Sequence, residues 1–196
     1  MYLLNRMIVW LRRSHLSRGM GVQSPSAYRF IRYVVSEHYP YYAYEDLGRK
    51  SFGIDRRRAK LCRFYFRLAN VVQPRTIFNY APFTEAYAAY MQAGCHKSHI
   101  LSQEVYGHDV LKDVESLDMA RISLMGDYRS VVSNALSKVH SGSVFVIEHI
   151  KRNKETRLFW RELLDDDRVV VSFDLYYCGV LFFDKKKYKH NYKVNF

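Results

Sequence analysis

Three residues of this sequence, Asp127, Glu148 and His149, carry side chains that could do acid–base or metal-ion chemistry. Each stands close to the end of an apolar run, where a strand delivers polar side chains to the edge of a sheet. A carboxylate beside an imidazole could act as a general acid and base, and a second carboxylate could help to hold a cation. Lys151 brings a positive charge close to the pair. We therefore interpret Glu148 and His149 as hydrogen-bonded residues at strand ends and predict no metal site.

Other chemical patterns are weaker. The adjacent pairs Ser14-His15 and Cys95-His96 lack the strand–turn–helix setting of an activated nucleophile, and no glycine fingerprint for phosphates is present. Seventeen tyrosines, several next to arginines, could stack on nucleic-acid bases, but no known nucleic-acid module frames them. A basic nucleic-acid-binding module therefore stays an alternative.

The elements that would position these residues alternate between strands and helices. A connection of three residues between the last two strands forces an antiparallel hairpin, whereas the earlier crossovers require parallel strands. The fold class is therefore α/β, with a doubly wound, mostly parallel sheet that ends in an antiparallel hairpin. We predict strands over 76–80, 98–102, 120–125, 143–148, 168–174 and 178–184, and helices near 84–93, 106–116, 127–139 and 153–164.

The first third of the chain is helical in pattern. Ser24 is a typical N-cap with Pro25 after it, and Asp55 can cap a helix that ends before Pro74. The apolar residues of 1–11 could form a further amphipathic helix. We predict an N-terminal helical cap over 1–73 and an α/β core over 74–196 within one structural domain.

Composition bears on the partners and the cellular compartment of the protein. The 196 residues carry a formal charge of +12, which favours contact with phosphates, acidic proteins or anionic lipid. The cysteines Cys62, Cys95 and Cys178 show no paired spacing and suggest a reducing, cytoplasmic compartment. No apolar run approaches the roughly 20 residues of a membrane span.

Two segments resemble a known family. The sequence GVQSPSAYRFI at 21–31 resembles the opening of a bacterial O-methyltransferase-like subfamily, and RVVVSFDLYYCGVLFF at 168–183 resembles its closing hairpin. The chain thus resembles the class I S-adenosylmethionine-dependent methyltransferases, which implies a Rossmann-like fold and a cofactor at the carboxyl ends of the first strands.

The resemblance assigns cofactor contacts that this chain has altered. Asn79 stands where the family has an acidic residue, and Ala81 and Glu85 stand where it has the two glycines of its G-x-x-x-G turn. The carboxylate for the ribose falls on Gln103, with Glu104 one position later. The candidate cofactor-binding residues are therefore Asn79, Ala81 and Glu104.

Two further departures follow from the same resemblance. The segment 105–120 is too short for a helix, a strand and the loop over the adenine, so we predict that the third strand is missing. Met125 replaces a metal-binding acid of catechol-type relatives, Tyr128 stands at a histidine position, and Glu148-His149 replaces an acidic pair.

Our leading hypothesis is a degenerate methyltransferase-like protein that binds no S-adenosylmethionine and acts as a scaffold or interaction domain. Its partner would be an acidic protein, or a second copy pairing along the second strand, which the missing third strand leaves at the edge. The alternative is an active S-adenosylmethionine-dependent methyltransferase that uses Glu104 for the ribose and Asp127, Glu148 or His149 near the acceptor.

Overall fold

The computed structural model describes Ile8, Leu11, Arg13 and Gly19 together with residues 21–51 and 53–196. Apart from Ile8 and Leu11, the amphipathic helix expected within 1–11 lies outside the described residues.

The N-terminal helices begin where the sequence predicts. Ser24 caps the first helix by accepting the amide of Ala27 at 3.4 Å, and Asp55 caps the third by accepting two amides of the first turn. The helix after Asp55 ends at Gln73, which adopts a left-handed conformation at φ 51° before Pro74. A short second helix over 43–50 was not predicted. These elements are α1 (Pro25–Phe30, continued by a π-helical turn over Ile31–Val35), α2 (Ala43–Lys50) and α3 (Arg56–Val72).

The sheet has seven strands in the order β2-β1-β3-β4-β6-β5-β7. The strand β6 runs antiparallel to its neighbours β4 and β5, and the other pairings are parallel. The predicted fold class is confirmed. The elements are β1 (Thr76–Tyr80), α4 (Ala86–Gly94), β2 (His99–Gln103), β3 (Leu117–Ser123), α5 (Tyr128–Leu136), β4 (Val139–Glu148), α6 (Lys154–Asp165), β5 (Val171–Asp174), β6 (Cys178–Phe182) and β7 (His190–Lys193).

The link between β2 and β3, which the structure describes throughout, contains no helix and no strand. The helix predicted near 106–116 is wrong, because this segment forms turns. Asp109 accepts the amide of Leu111, and the amide of Val114 bonds back to Leu111, so local bonds replace a helix. Within the described chain no strand lies outside β2, as the predicted loss of the third strand requires.

The opposite edge carries a strand that the sequence did not reveal. β7 pairs in parallel with β5, and the ring of Tyr192 stacks on Phe173 with centroids 5.0 Å apart. Its polar sequence, HNYK, has no apolar run to mark it.

Helices cover both faces of the sheet. α1, α3 and α4 pack on one face, where Ile31, Leu68 and Met91 are buried, while α5 and α6 pack on the other. Among the described residues no helix is long and apolar enough to cross a membrane.

Candidate functional site

The parallel strands bring their polar residues together at the carboxyl edge of the sheet. Asn79 of β1 lies in register with Arg121 of β3, and β4 ends at Glu148 beside them. Arg121 is fully buried, and its Nε donates to Glu148 Oε1 at 2.9 Å. Its Nη1 donates to the carbonyl oxygen of Tyr80 at 2.6 Å and contacts the Asn79 side-chain oxygen at 3.4 Å. A charged pair therefore joins three strands beneath this edge.

The helices above the sheet complete the enclosure of this pair. The Tyr65 hydroxyl of α3 donates to the same Glu148 oxygen, and the Tyr87 ring of α4 lies 4.7 Å from the Arg121 guanidinium carbon. Arg121 Nη2 has no hydrogen-bond partner among the described residues, and the aromatic face of Tyr87 supplies an electrostatic contact instead. We call Tyr65, Asn79, Tyr87, Arg121 and Glu148 the buried polar cluster.

Both members of the ion pair stay charged. Burial by itself raises the pKa of Glu148, but the charge and hydrogen bond of Arg121, with the Tyr65 hydroxyl, lower it below its ordinary value. Burial acts to lower the pKa of Arg121, and the Glu148 carboxylate more than offsets it, so that pKa is raised. The Glu148 side chain is therefore held as a carboxylate by Arg121 and Tyr65 inside the fold.

His149 points to a different environment from Glu148. Its Nδ1 lies 2.9 Å from the Ser123 hydroxyl, and its ring centroid is 6.0 Å from that of Phe83. Its φ is 64°, and its amide donates to the carbonyl oxygen of Tyr177. Burial lowers its pKa, and Arg57, among other nearby cations, lowers it further against the pull of Glu148. The imidazole is therefore neutral at neutral pH.

Asp127 serves a local purpose. It caps α5 by accepting the amide of Ser130 at 3.4 Å and is itself exposed. Among the described residues no three His, Cys, Asp or Glu side chains form an arrangement that could hold a metal ion. Of Asp127, Glu148 and His149, only Glu148 belongs to the buried polar cluster.

The turn after β1 keeps a conformation typical of glycine but carries other residues. Ala81 adopts φ 49° and is buried, and its amide donates to the carbonyl oxygen of Gln103 at 2.7 Å. The Gln103 side chain accepts the amide of Val110 at 3.3 Å, while Glu104 and Glu85 are exposed. The structure thus places Asn79 and Ala81 near one another in the fold and leaves Glu104 in solvent.

Side chains fill the space between the ends of β1 and β3. The Tyr80 hydroxyl donates to the carbonyl oxygen of Met125 at 3.2 Å. Gly126 follows at φ 59°, and a Cβ there would overlap Val105 Cγ1 and lie 3.2 Å from the Tyr80 oxygen. We call Tyr80, Val105, Met125 and Gly126 the rim closure. The short link after β2 brings Val105 into it.

Sequence reasoning missed Arg121, Tyr65, Tyr80 and Val105. One signal was present, since Arg121 interrupts the apolar run MARISL at 119–124, where a charge in a buried parallel strand must find a partner. The part played by Val105 had no such signal, because it depends on where the link folds.

Comparison with known proteins gives a clear result for the fold. No family model matches the chain, and no curated protein matches it. Solved structures do match. Cofactor-bound Rv0187 from MTB has a TM-score of 0.55 at 9% identity, over 72% of this chain and 88% of its own. The O-methyltransferase TomG from Streptomyces achromogenes in complex with SAM has a TM-score of 0.51 at 13% identity, over 71% and 86%.

A third structure agrees. The O-methyltransferase from Bacillus cereus in complex with SAH has a TM-score of 0.51 at 11% identity and covers 76% of this chain and 94% of its own. The fold is that of the class I methyltransferases. Identities this small establish the class I methyltransferase fold alone, and activity depends on the site. In this fold the edge that carries the rim closure and the buried polar cluster is where the sequence resemblance assigns the cofactor.

Proposed function

We propose that this chain uses the class I methyltransferase fold without binding S-adenosylmethionine and acts as an interaction or scaffold protein. The rim closure is the observation that carries this proposal. Tyr80 is buried, and Val105 packs so closely over Gly126 that not even a methyl group would fit there. A nucleoside lying between the ends of β1, β2 and β3 would have to displace both side chains.

The polar groups at this edge do not fit the cofactor either. The Asn79 side chain is buried between Ser102 and Arg121, and the Ala81 amide is already bonded to Gln103. Glu104, the remaining carboxylate for a ribose, is exposed. Each group that the resemblance assigns to the cofactor is thus either satisfied within the protein or directed into water.

The buried polar cluster makes this state costly to reverse. Opening the edge around Arg121 and Glu148 would disturb a buried ion pair, and pairs of this kind matter to stability, since removing one partner costs about 3–5 kcal/mol. The same cluster ties α3 and α4 to the sheet, so it supports a stable scaffold rather than a mobile catalytic site.

An acidic protein is the partner that the charge favours. The formal charge of +12 is large for 196 residues, and exposed arginines and lysines occur along the chain. In the part of the chain that the structure describes, no strand pairs with the outer edge of β2, which leaves that edge for a second copy. We further propose a cytoplasmic location, which the three free, buried cysteines support.

Thermal unfolding with millimolar SAM or SAH tests the proposal. A ligand that binds only the folded state raises the melting temperature by mass action, so we expect no shift for this chain. The Bacillus cereus O-methyltransferase serves as the positive control, because its structure is in complex with SAH. A clear upward shift for this chain would overturn the proposal.

An active S-adenosylmethionine-dependent methyltransferase with an altered pocket is the second candidate. One observation favours it, since His149 is half-buried at the carboxyl edge with a lowered pKa and could accept a proton at neutral pH. The thermal experiment separates the two candidates, because the enzyme requires the shift that the scaffold excludes.

A further inference from the structure

A cavity of about 650 Å³ lies among the N-terminal helices, between the loop 36–42, α2 and α3. We call it the tyrosine–arginine cavity. One wall is a stripe of four cations on α3, Arg56, Lys60, Arg63 and Arg67, spaced by four, three and four residues. This spacing places all four on one helical face. Like charges on one face repel each other, so a stripe of this kind suits a negatively charged occupant.

Arg67 is the most informative member of the stripe because it is only 5% exposed. Its guanidinium donates to the carbonyl oxygens of Val34 at 2.7 Å and Val35 at 3.4 Å, and to the Tyr44 hydroxyl at 3.4 Å. None of these acceptors is charged. In the described part of the chain, Arg67 forms no ion pair, and neither does Arg56 or Arg63. Val34 and Val35 end the π-helical turn of α1, so their carbonyls carry the partial negative charge of a helix C-terminus, and Arg67 stabilises that end while its own positive charge stays at the cavity wall.

Two acids, Glu37 and Glu45, also line the cavity. Glu45 pairs with Arg49 one turn further along α2. The carboxylate of Glu37 accepts the amides of His38 and Tyr39 at 2.7 Å each. The lining thus carries four cations against two acids, which is an excess of positive charge.

The opposite wall is aromatic. The Tyr41 ring packs against Tyr39 and Tyr44, with centroids 5.3 Å apart in each case, and Arg63 lies 5.5 Å above the Tyr44 ring. Tyr39 is 59% exposed and Tyr42 is 95% exposed. Exposed tyrosine rings beside arginines supply flat surfaces on which a planar group can stack.

We propose that the tyrosine–arginine cavity binds a nucleotide, with its base against the tyrosine wall and its phosphate on the α3 stripe. The volume is within the range of small-molecule sites. A planar ring and a phosphate are the two groups that these walls complement. The nucleotide could be a free mononucleotide or one unit of a single strand, which share this chemistry.

Calorimetry with the four nucleoside 5′-monophosphates, the four nucleosides and a mixed single-stranded oligonucleotide tests the proposal. We expect a monophosphate or the oligonucleotide to bind, and the nucleosides to bind roughly tenfold more weakly or not at all, because they lack the charge-assisted bonds. Binding of a monophosphate identifies the free nucleotide as the source, and binding of the oligonucleotide alone identifies a single strand. SAM carries no phosphate. A failure of nucleotides to bind would therefore overturn this proposal without bearing on whether the protein binds SAM.

Two exposed positions allow the site to be located without disturbing the buried Arg67. Arg63→Gln and Tyr42→Ala should each weaken binding by roughly tenfold. Arg129→Gln on α5 removes the same charge from the opposite face of the sheet and should leave the affinity unchanged, which excludes an effect of net charge alone. Equal affinity for nucleotides and nucleosides, silence from every phosphate-bearing probe, or an equal loss in Arg129→Gln would overturn the proposal.

Discussion

Arg121 and Glu148 form an ion pair of 2.9 Å that is sealed from solvent between β3, β4 and the helices above them. Tyr65 binds the carboxylate from α3, and the Tyr80 carbonyl oxygen binds the guanidinium from β1. The pair therefore joins the N-terminal helices to the centre of the sheet. It also fixes the end of β1, where Tyr80 begins the rim closure.

Removing one partner of the Arg121–Glu148 pair should destabilise the fold more than removing both. Arg121→Met leaves the Glu148 carboxylate buried without its counter-charge and should lower the free energy of unfolding by about 3–5 kcal/mol. The double variant Arg121→Met/Glu148→Gln should recover part of that loss, because a neutral amide can still accept the Tyr65 hydroxyl. Urea unfolding followed by circular dichroism measures both.

The exposed pair of Arg129 and Glu162 provides the matched control. Its atoms lie 2.7 Å apart, but both side chains are about half exposed and screened by water, so Arg129→Met should change the free energy of unfolding far less than Arg121→Met does. Equal losses for Arg121→Met and Arg129→Met would contradict the burial of the cluster.

The rim closure predicts coupling between Gly126 and Val105. Gly126→Ala should destabilise the protein by about 1–3 kcal/mol, because the new methyl group overlaps Val105 and the backbone is in the left-handed region. Val105→Ala removes the overlap, so the double variant should be more stable than the sum of the single losses by about 0.5 kcal/mol or more. Strict additivity in urea unfolding would show that Val105 does not cover the loop.

The titration of His149 should account for part of the pH dependence of the protein's stability. Its pKa is lowered in the folded protein, so the unfolded chain binds more protons as the pH falls below about 6.5. The resulting loss of stability on acidification should be smaller in His149→Gln. Unfolding free energies measured between roughly pH 7.5 and pH 5 test this. Identical pH profiles for the two proteins would mean that His149 titrates as in the unfolded chain.

The sequence predicted those features that depend on local pattern. The alternation of apolar runs and helical segments yielded the parallel sheet and the hairpin, and Ser24 and Asp55 marked helix starts. The helix predicted near 106–116 does not form, because the Asp109 side chain competes for the backbone amide of Leu111 there. β7 could not be found, since its pairing with β5 rather than its composition defines it.

The site was less accessible to sequence reasoning. Asn79, Ala81 and Glu104 could be named from the resemblance, but the contacts of Asn79 depend on Arg121, which lies 42 residues away in sequence. Val105 reaches Gly126 only because the link after β2 is short. Long-range packing of this kind leaves no periodic signal in the chain.

Calorimetric titration with SAH, at high protein concentration and up to millimolar ligand, decides whether the carboxyl edge of this sheet holds a cofactor. The wild-type chain should release or absorb no heat beyond dilution, because Tyr80 and Val105 occupy the edge and Glu104, the candidate ribose carboxylate, is exposed. Saturable heats with a dissociation constant in the micromolar range would contradict a closed edge and establish a cofactor site in this protein.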